Sequence, residues 1–121
     1  MKFNPNCVRD ILLTAQDVIT DKAAMKFTST SDYKHLKNYS FSEVAYHIQQ
    51  CQEYSLLTYK KNILGHYIIE KILPDGNELI AKSENETVWK NALSKGIFSI
   101  PSMFSLVNSA FELFNNIKSN I

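Results

Sequence analysis

Residues 39–61 read YSFSEVAYHIQQCQEYSLLTYKK. Ser40 and Glu43 have the S-x-x-E spacing of a capping box, in which a hydroxyl and a carboxylate each satisfy a free N–H at a helix start. Tyr39 and Val44 are placed as the accompanying hydrophobic staple. Phe41, Val44, Ala45, Ile48 and Cys51 then recur on one side of the predicted helix. Glu43, Tyr46, Gln50 and Glu53 fall opposite, with His47 and Gln49 on the flanks. The helix leads directly into LLTYKK (56–61), and a second β-prone run, YIIEKIL (67–73), follows after Asn62 and Gly65. Two such runs joined by turn residues predict a β-hairpin.

Upstream, Asn4 and Pro5 mark a helix start, with Asn as N-cap and Pro where its missing N–H costs nothing. Val8, Ile11, Leu12, Ala15, Val18 and Ile19 give that helix an apolar face over about 5–20. AMKFTSTS (24–31) reads as one short strand or a loop, and DYKHLKNY (32–39) is ambiguous, with a helical turn as one reading. Downstream, Pro74, Asp75 and Gly76 begin a helix to about Lys82, and Asn85 caps another with Val88, Trp89, Ala92 and Leu93 inward and Gly96 past its end. Pro101 opens a last helix to about Ser119. The expected fold class is α+β, mainly helical with a small β-hairpin.

Three segments carry a family resemblance. SEVAYHIQQCQEYSLL resembles the recognition helix and exit of winged-helix proteins, ILPDGNELI (72–80) is similar to the LTxxGxxLL that follows their wing, and ETVWKNAL (86–93) extends the likeness. Over roughly residues 5–95 the chain resembles a small phage- and prophage-borne family of unknown function, domain of unknown function 2513. The resemblance implies a winged helix-turn-helix core over about 5–83 with appended helices over about 85–119, all in one domain spanning 1–121. It implies no biochemical activity. Tyr54-Ser55 stand where Ala-Gly is usual and Leu73 where a capping Thr is common, so the turn after the helix and the cap of the next helix are where departures are expected.

The length of 121 residues suits one domain able to bury a core without metals or disulfides. The net charge of +1 excludes a global basic field, so any attraction to nucleic acid must be local. Cys7 and Cys51 lie on apolar stripes and read as buried free thiols of a reducing cytoplasm. The N-terminal MKFNPNCVRD lacks an apolar export segment, so a cytoplasmic location is expected.

If the capped helix reads DNA, Tyr46, Gln49 and Gln50 would meet base edges in the major groove. Lys60 and Lys61 at the wing tip, and Lys34, His35 and Lys37 ahead of the helix, would meet phosphate. Four lysines on phosphate give a log–log salt slope of roughly −3.6. Glu43 and Glu53 on the same face oppose that reading, and the near-neutral charge suits a winged helix kept as a docking module for a host or phage protein. Both readings stand at this point: a weak or dimeric DNA-binding regulator, and a protein-interaction module.

No G-x-S-x-G, Walker loop or dinucleotide fingerprint occurs, so neither catalysis nor a cofactor is expected. The three histidines have no zinc-ligand spacing, and no metal is expected. His47 reads as a boundary residue bonding to the hairpin. The segment IPSMFSLVNSAFELFNNIKSNI (100–121) is too interrupted by Asn and Glu to span a membrane. It either closes the core against the N-terminal helix or makes a homodimer contact with Phe104, Phe111 and Phe114 as anchors.

Overall fold

The structure is a computed structural model and describes residues 1–119. Among the described residues, five α-helices and a three-stranded antiparallel sheet follow in the order α1 (Pro5–Val18), β1 (Met25–Phe27), α2 (Phe41–Glu53), β2 (Leu57–Lys61), β3 (Tyr67–Ile72), α3 (Pro74–Ser83), α4 (Glu86–Ser94) and α5 (Ile100–Ser119). The 24–31 segment resolves into a strand followed by a short 3-10 turn at Thr30–Asp32. Strand order is β1-β3-β2, with Met25 opposite Ile69 and Phe27 opposite Tyr67. One contiguous core draws on the sheet and on all five helices, from Cys7 of α1 to Ala110 of α5.

Local chemistry explains most of the boundaries. The Asn4 side chain accepts from the N–H groups of Asn6 and Cys7, capping α1. That helix ends at Val18, two residues short of expectation, because Ile19 is extended and Thr20 pairs back with Ala23. Residues 34–38 form hydrogen-bonded turns in place of an α-helix, pinned by the fully buried Leu36, whose N–H bonds the Tyr33 carbonyl at 3.0 Å. Ser40 caps α2 as expected, its hydroxyl accepting from Glu43 N–H at 3.1 Å. The return half of the capping box is redirected: the Glu43 carboxylate accepts from the Asn4 amide at 3.3 Å, because the start of α1 packs over this end of α2. Phe41, expected inward, is 39% exposed and stacks on the buried Phe27 at 4.9 Å.

The exit of α2 is tight. Leu56 N–H bonds the Cys51 carbonyl at 2.8 Å and Ser55 N–H bonds Gln52 at 3.0 Å, a Schellman closure whose left-handed position is filled by Ser55 at φ 62°. Beyond it the Leu56 carbonyl accepts from Leu73 N–H at 2.9 Å. A Cβ on Gly76 would lie 2.2 Å from that same oxygen, so only glycine lets α3 sit there. As the Leu73 position foretold, α3 has no side-chain cap.

The later helices are tied on by polar contacts over an apolar seam. Arg9 of α1 donates to the carbonyls of Ser83 (2.9 Å) and Glu84 (3.3 Å) and to the Glu86 carboxylate (2.9 Å), and lies 5.2 Å from the Trp89 ring centre. Trp89 Nε1 donates to Asn6 at 3.0 Å. Ser99 and Ser102 cap α5 reciprocally, each hydroxyl accepting the other's N–H. α5 packs chiefly on α4 and α3, not on the N-terminal helix as its breadth suggested. Its Ile100, Met103, Val107 and Ala110 form the buried stripe, and Lys82 of α3 reaches Asn108 at 2.7 Å.

Two substitutions test these constraints by chemical denaturation. Gly76→Ala should lower stability by at least about 2 kcal/mol despite alanine's better helix propensity, because the added methyl meets backbone. Ser55→Gly should raise stability by about 0.5–1 kcal/mol, since the left-handed penalty exceeds glycine's extra unfolded-state entropy.

Candidate nucleic-acid interface

The outward strip of α2 is set by what its other faces touch. Val44, Ala45, His47, Ile48 and Cys51 are buried, which leaves Ser42, Gln49, Gln52 and Glu53 exposed and Glu43, Tyr46 and Gln50 half-buried. The strip is polar, with its outward acid at Glu53, since Glu43 is held back by Asn4. Its glutamines are partly engaged. Gln49 donates to the Tyr67 hydroxyl at 3.0 Å, and Gln50 donates to Glu53 at 3.4 Å. Gln52, which sequence reasoning passed over, accepts from Tyr59 N–H at 2.8 Å. That N–H lies at the register shift between Thr58 and Tyr59, so a helix side chain serves a ladder position that the bulge disrupts.

Tyr67 is where helix and hairpin meet. It is 4% exposed, bonded by Gln49, and lies 5.4 Å from the Tyr59 ring and 6.1 Å from Phe41. The Lys61 ammonium sits 5.4 Å from the same ring centre, a cation–π distance. Gln49 and Lys61 are therefore brought together through Tyr67.

The two hairpin lysines do not share a face of the sheet. Lys60 stands opposite Ile68 and Lys61 opposite Tyr67, so strand alternation sends them to opposite faces of the sheet. Lys60 lies 3.6 Å from Glu70 on the outer face. Nor do they form the tip. The apex is Ile63 and Leu64, which are 102% and 72% exposed. Lys34 and Lys37 are exposed on the loop leading into α2, on either side of the buried Leu36, with His35 half-buried between them.

His47 is fully buried and faces α1 rather than the hairpin. Its Nε2 accepts from Asn4 N–H at 2.8 Å, which requires Nδ1 to carry the proton and donate to the Glu43 carbonyl at 2.7 Å. Burial pushes its pKa below the ordinary 6.5, only partly offset by Glu43. Cys7 and Cys51 are free and buried, and burial pushes the Cys51 thiol up to about 12. Among the described residues no three His, Cys, Asp or Glu side chains converge.

The C-terminal aromatics are engaged within the chain. Phe104, Phe111 and Phe114 are half-buried against its own core, and Lys82 lies 5.6 Å from the Phe111 ring. The exposed apolar groups of α5 are instead Leu113 and Ile117, which with Phe114 and Ala110 line a shallow apolar groove against Thr87, Val88 and Asn91 of α4. Among the described residues no helix is long and apolar enough to cross a membrane.

These features define an α+β chain whose capped α2 feeds a lysine-bearing hairpin. It belongs to the family described as hypothetical protein (DUF2513), whose model matches residues 2–96. The match takes in the sheet and α1–α4 and ends before α5. No curated protein and no solved structure matches the chain.

The His47 arrangement yields a pH dependence. The folded state resists protonating His47 while the unfolded state takes up a proton near 6.5. Its contribution is therefore full above that pH and is lost as pH falls towards the lowered folded value, at up to about 1.4 kcal/mol per pH unit. The thermal midpoint should drop between pH 7.5 and 5.5, and His47→Gln should flatten that drop.

Proposed function

We propose that the protein is a winged helix-turn-helix domain that binds double-stranded DNA, weakly as a monomer or more firmly as a dimer, in a phage or prophage setting. The element order and the β1-β3-β2 sheet support the winged-helix reading, with the 3-10 turn and the Leu36 turns standing where a first reading-motif helix would be. The observation that carries the DNA reading is local charge beside an open helix face. Residues 57–72 contain Lys60, Lys61 and Lys71 against Glu70, a formal +2, while the whole chain sums to +1. The hairpin is thus basic on a remainder that is net acidic, and it adjoins the exposed strip of α2. In this reading Tyr46 and Gln49 face base edges and Lys34, Lys37 and Lys61 meet phosphates. Catalysis has no part in it.

A second reading is favoured by the occupied glutamines and the outward Glu53: the same face, or Phe114 with Leu113 and Ile117, docks a host or phage protein or a second copy. Anisotropy titrations of labelled random-sequence duplex at several salt concentrations separate the two. DNA binding predicts affinity at low salt with a log–log slope of roughly −2.7 for three phosphate contacts. Replacing Lys34, Lys37 and Lys61 with Glu should abolish it. Flat curves at low salt would remove the DNA reading and leave the docking one.

A further inference from the structure

The hairpin apex is built, not left over. Asn62 Oδ1 accepts from both Leu64 N–H and His66 N–H at 3.0 Å, Gly65 N–H bonds the Asn62 carbonyl at 3.0 Å, and Asn62 N–H bonds the His66 carbonyl at 3.0 Å. Gly65 takes φ 80°, which closes the turn without strain. This frame holds Ile63, 102% exposed, and Leu64, 72% exposed, at the apex of a hairpin whose residues 57–72 carry a formal +2. Neither side chain serves the fold at that exposure, and two adjacent large aliphatic groups in water forfeit the free energy of burial. The turn chemistry resides in Asn62 and Gly65, so polar residues at 63 and 64 would close it equally well.

We infer that Ile63 and Leu64 form an apolar wedge that enters the minor groove of duplex DNA and partly unstacks a base step, while Lys61 meets the flanking phosphate. This rests on the duplex reading above. Two side chains are too small for a protein interface, which needs roughly 800 Å² per partner. Against a polyanion with an apolar interior they suffice, because aliphatic wedges act by unstacking bases and kinking the helix. The apex is two residues wide and suits a groove about 6 Å across. The cationic flank supplies the charge complementarity, and the neighbouring open strip of α2 favours DNA over a membrane surface.

The test is the double variant Ile63→Ser with Leu64→Ser, whose sites are too exposed to unsettle the core. A random-sequence duplex labelled at both ends reports affinity by anisotropy and bending by energy transfer, over a salt series. Wild type should bind and shorten the end-to-end distance. The variant should bind at least tenfold more weakly at every salt concentration with an unchanged salt slope, since a wedge releases no counterions, and should leave the duplex straight. Equal affinity and equal bending would overturn the wedge while the DNA reading stands. A wild type that ignores duplex would overturn both. Binding to phosphatidylglycerol vesicles that is lost in the variant, without duplex binding, would assign the tip to a lipid surface instead.

Discussion

The Leu56 carbonyl accepts from Leu73 and occupies the space that any side chain on residue 76 would need. Three elements converge on that one oxygen. α2 must end in a Schellman closure to deliver it, the hairpin must return in register to bring Leu73 to it, and α3 must begin without a Cβ to pack over it. The angle between α2 and the hairpin follows from this junction, and so does the placement of the open helix strip beside the basic strands. Gln49 and Gln52 then brace the same angle from the helix side, through Tyr67 and Tyr59.

A second set of contacts fixes α2 from its other end. His47 and Glu43 both reach back to Asn4, which also caps α1, so the starts of the two helices are locked through one residue. Arg9, one turn further along α1, closes the C-terminal end of α3 with its guanidinium and holds Glu86 at the start of α4. Cations at a helix C-terminus and acids at an N-terminus both follow the macrodipole, and here one pair serves two helices. The outward strip of α2 is what remains when these inward and lateral demands are met.

Much of this was legible in the sequence because it is local. Asn4-Pro5, Ser40 and Asn85 announce their caps by residue type, and Asn62 with Gly65 announces the hairpin turn. Gly76 was visible within ILPDGNELI, though only the packing shows that backbone, not a turn, demands it. What the sequence hid depends on partners far along the chain. On a helical wheel Glu43 falls outward and His47 on the flank, but their partner lies about forty residues upstream, so periodicity does not show that both turn back to Asn4. Lys60 and Lys61 look like one patch until strand alternation separates them. Ile63 and Leu64 fall between the two β-prone runs, and residue type alone does not show that the turn leaves them in water. The α5 stripe predicted burial but not its neighbours, α3 and α4.

The duplex reading depends on one geometric claim: the α2 strip, the Lys34–Lys37 loop and the hairpin apex present a single continuous contact surface. Amide chemical shifts of the isotopically labelled chain, followed as a random-sequence duplex is added at low salt, test that claim directly. Perturbations should cluster at residues 34–37, 42–49 and 61–66, with α5 unmoved. Shifts confined to Leu113, Phe114, Ile117 and the facing surface of α4, or no shifts at all, would contradict it.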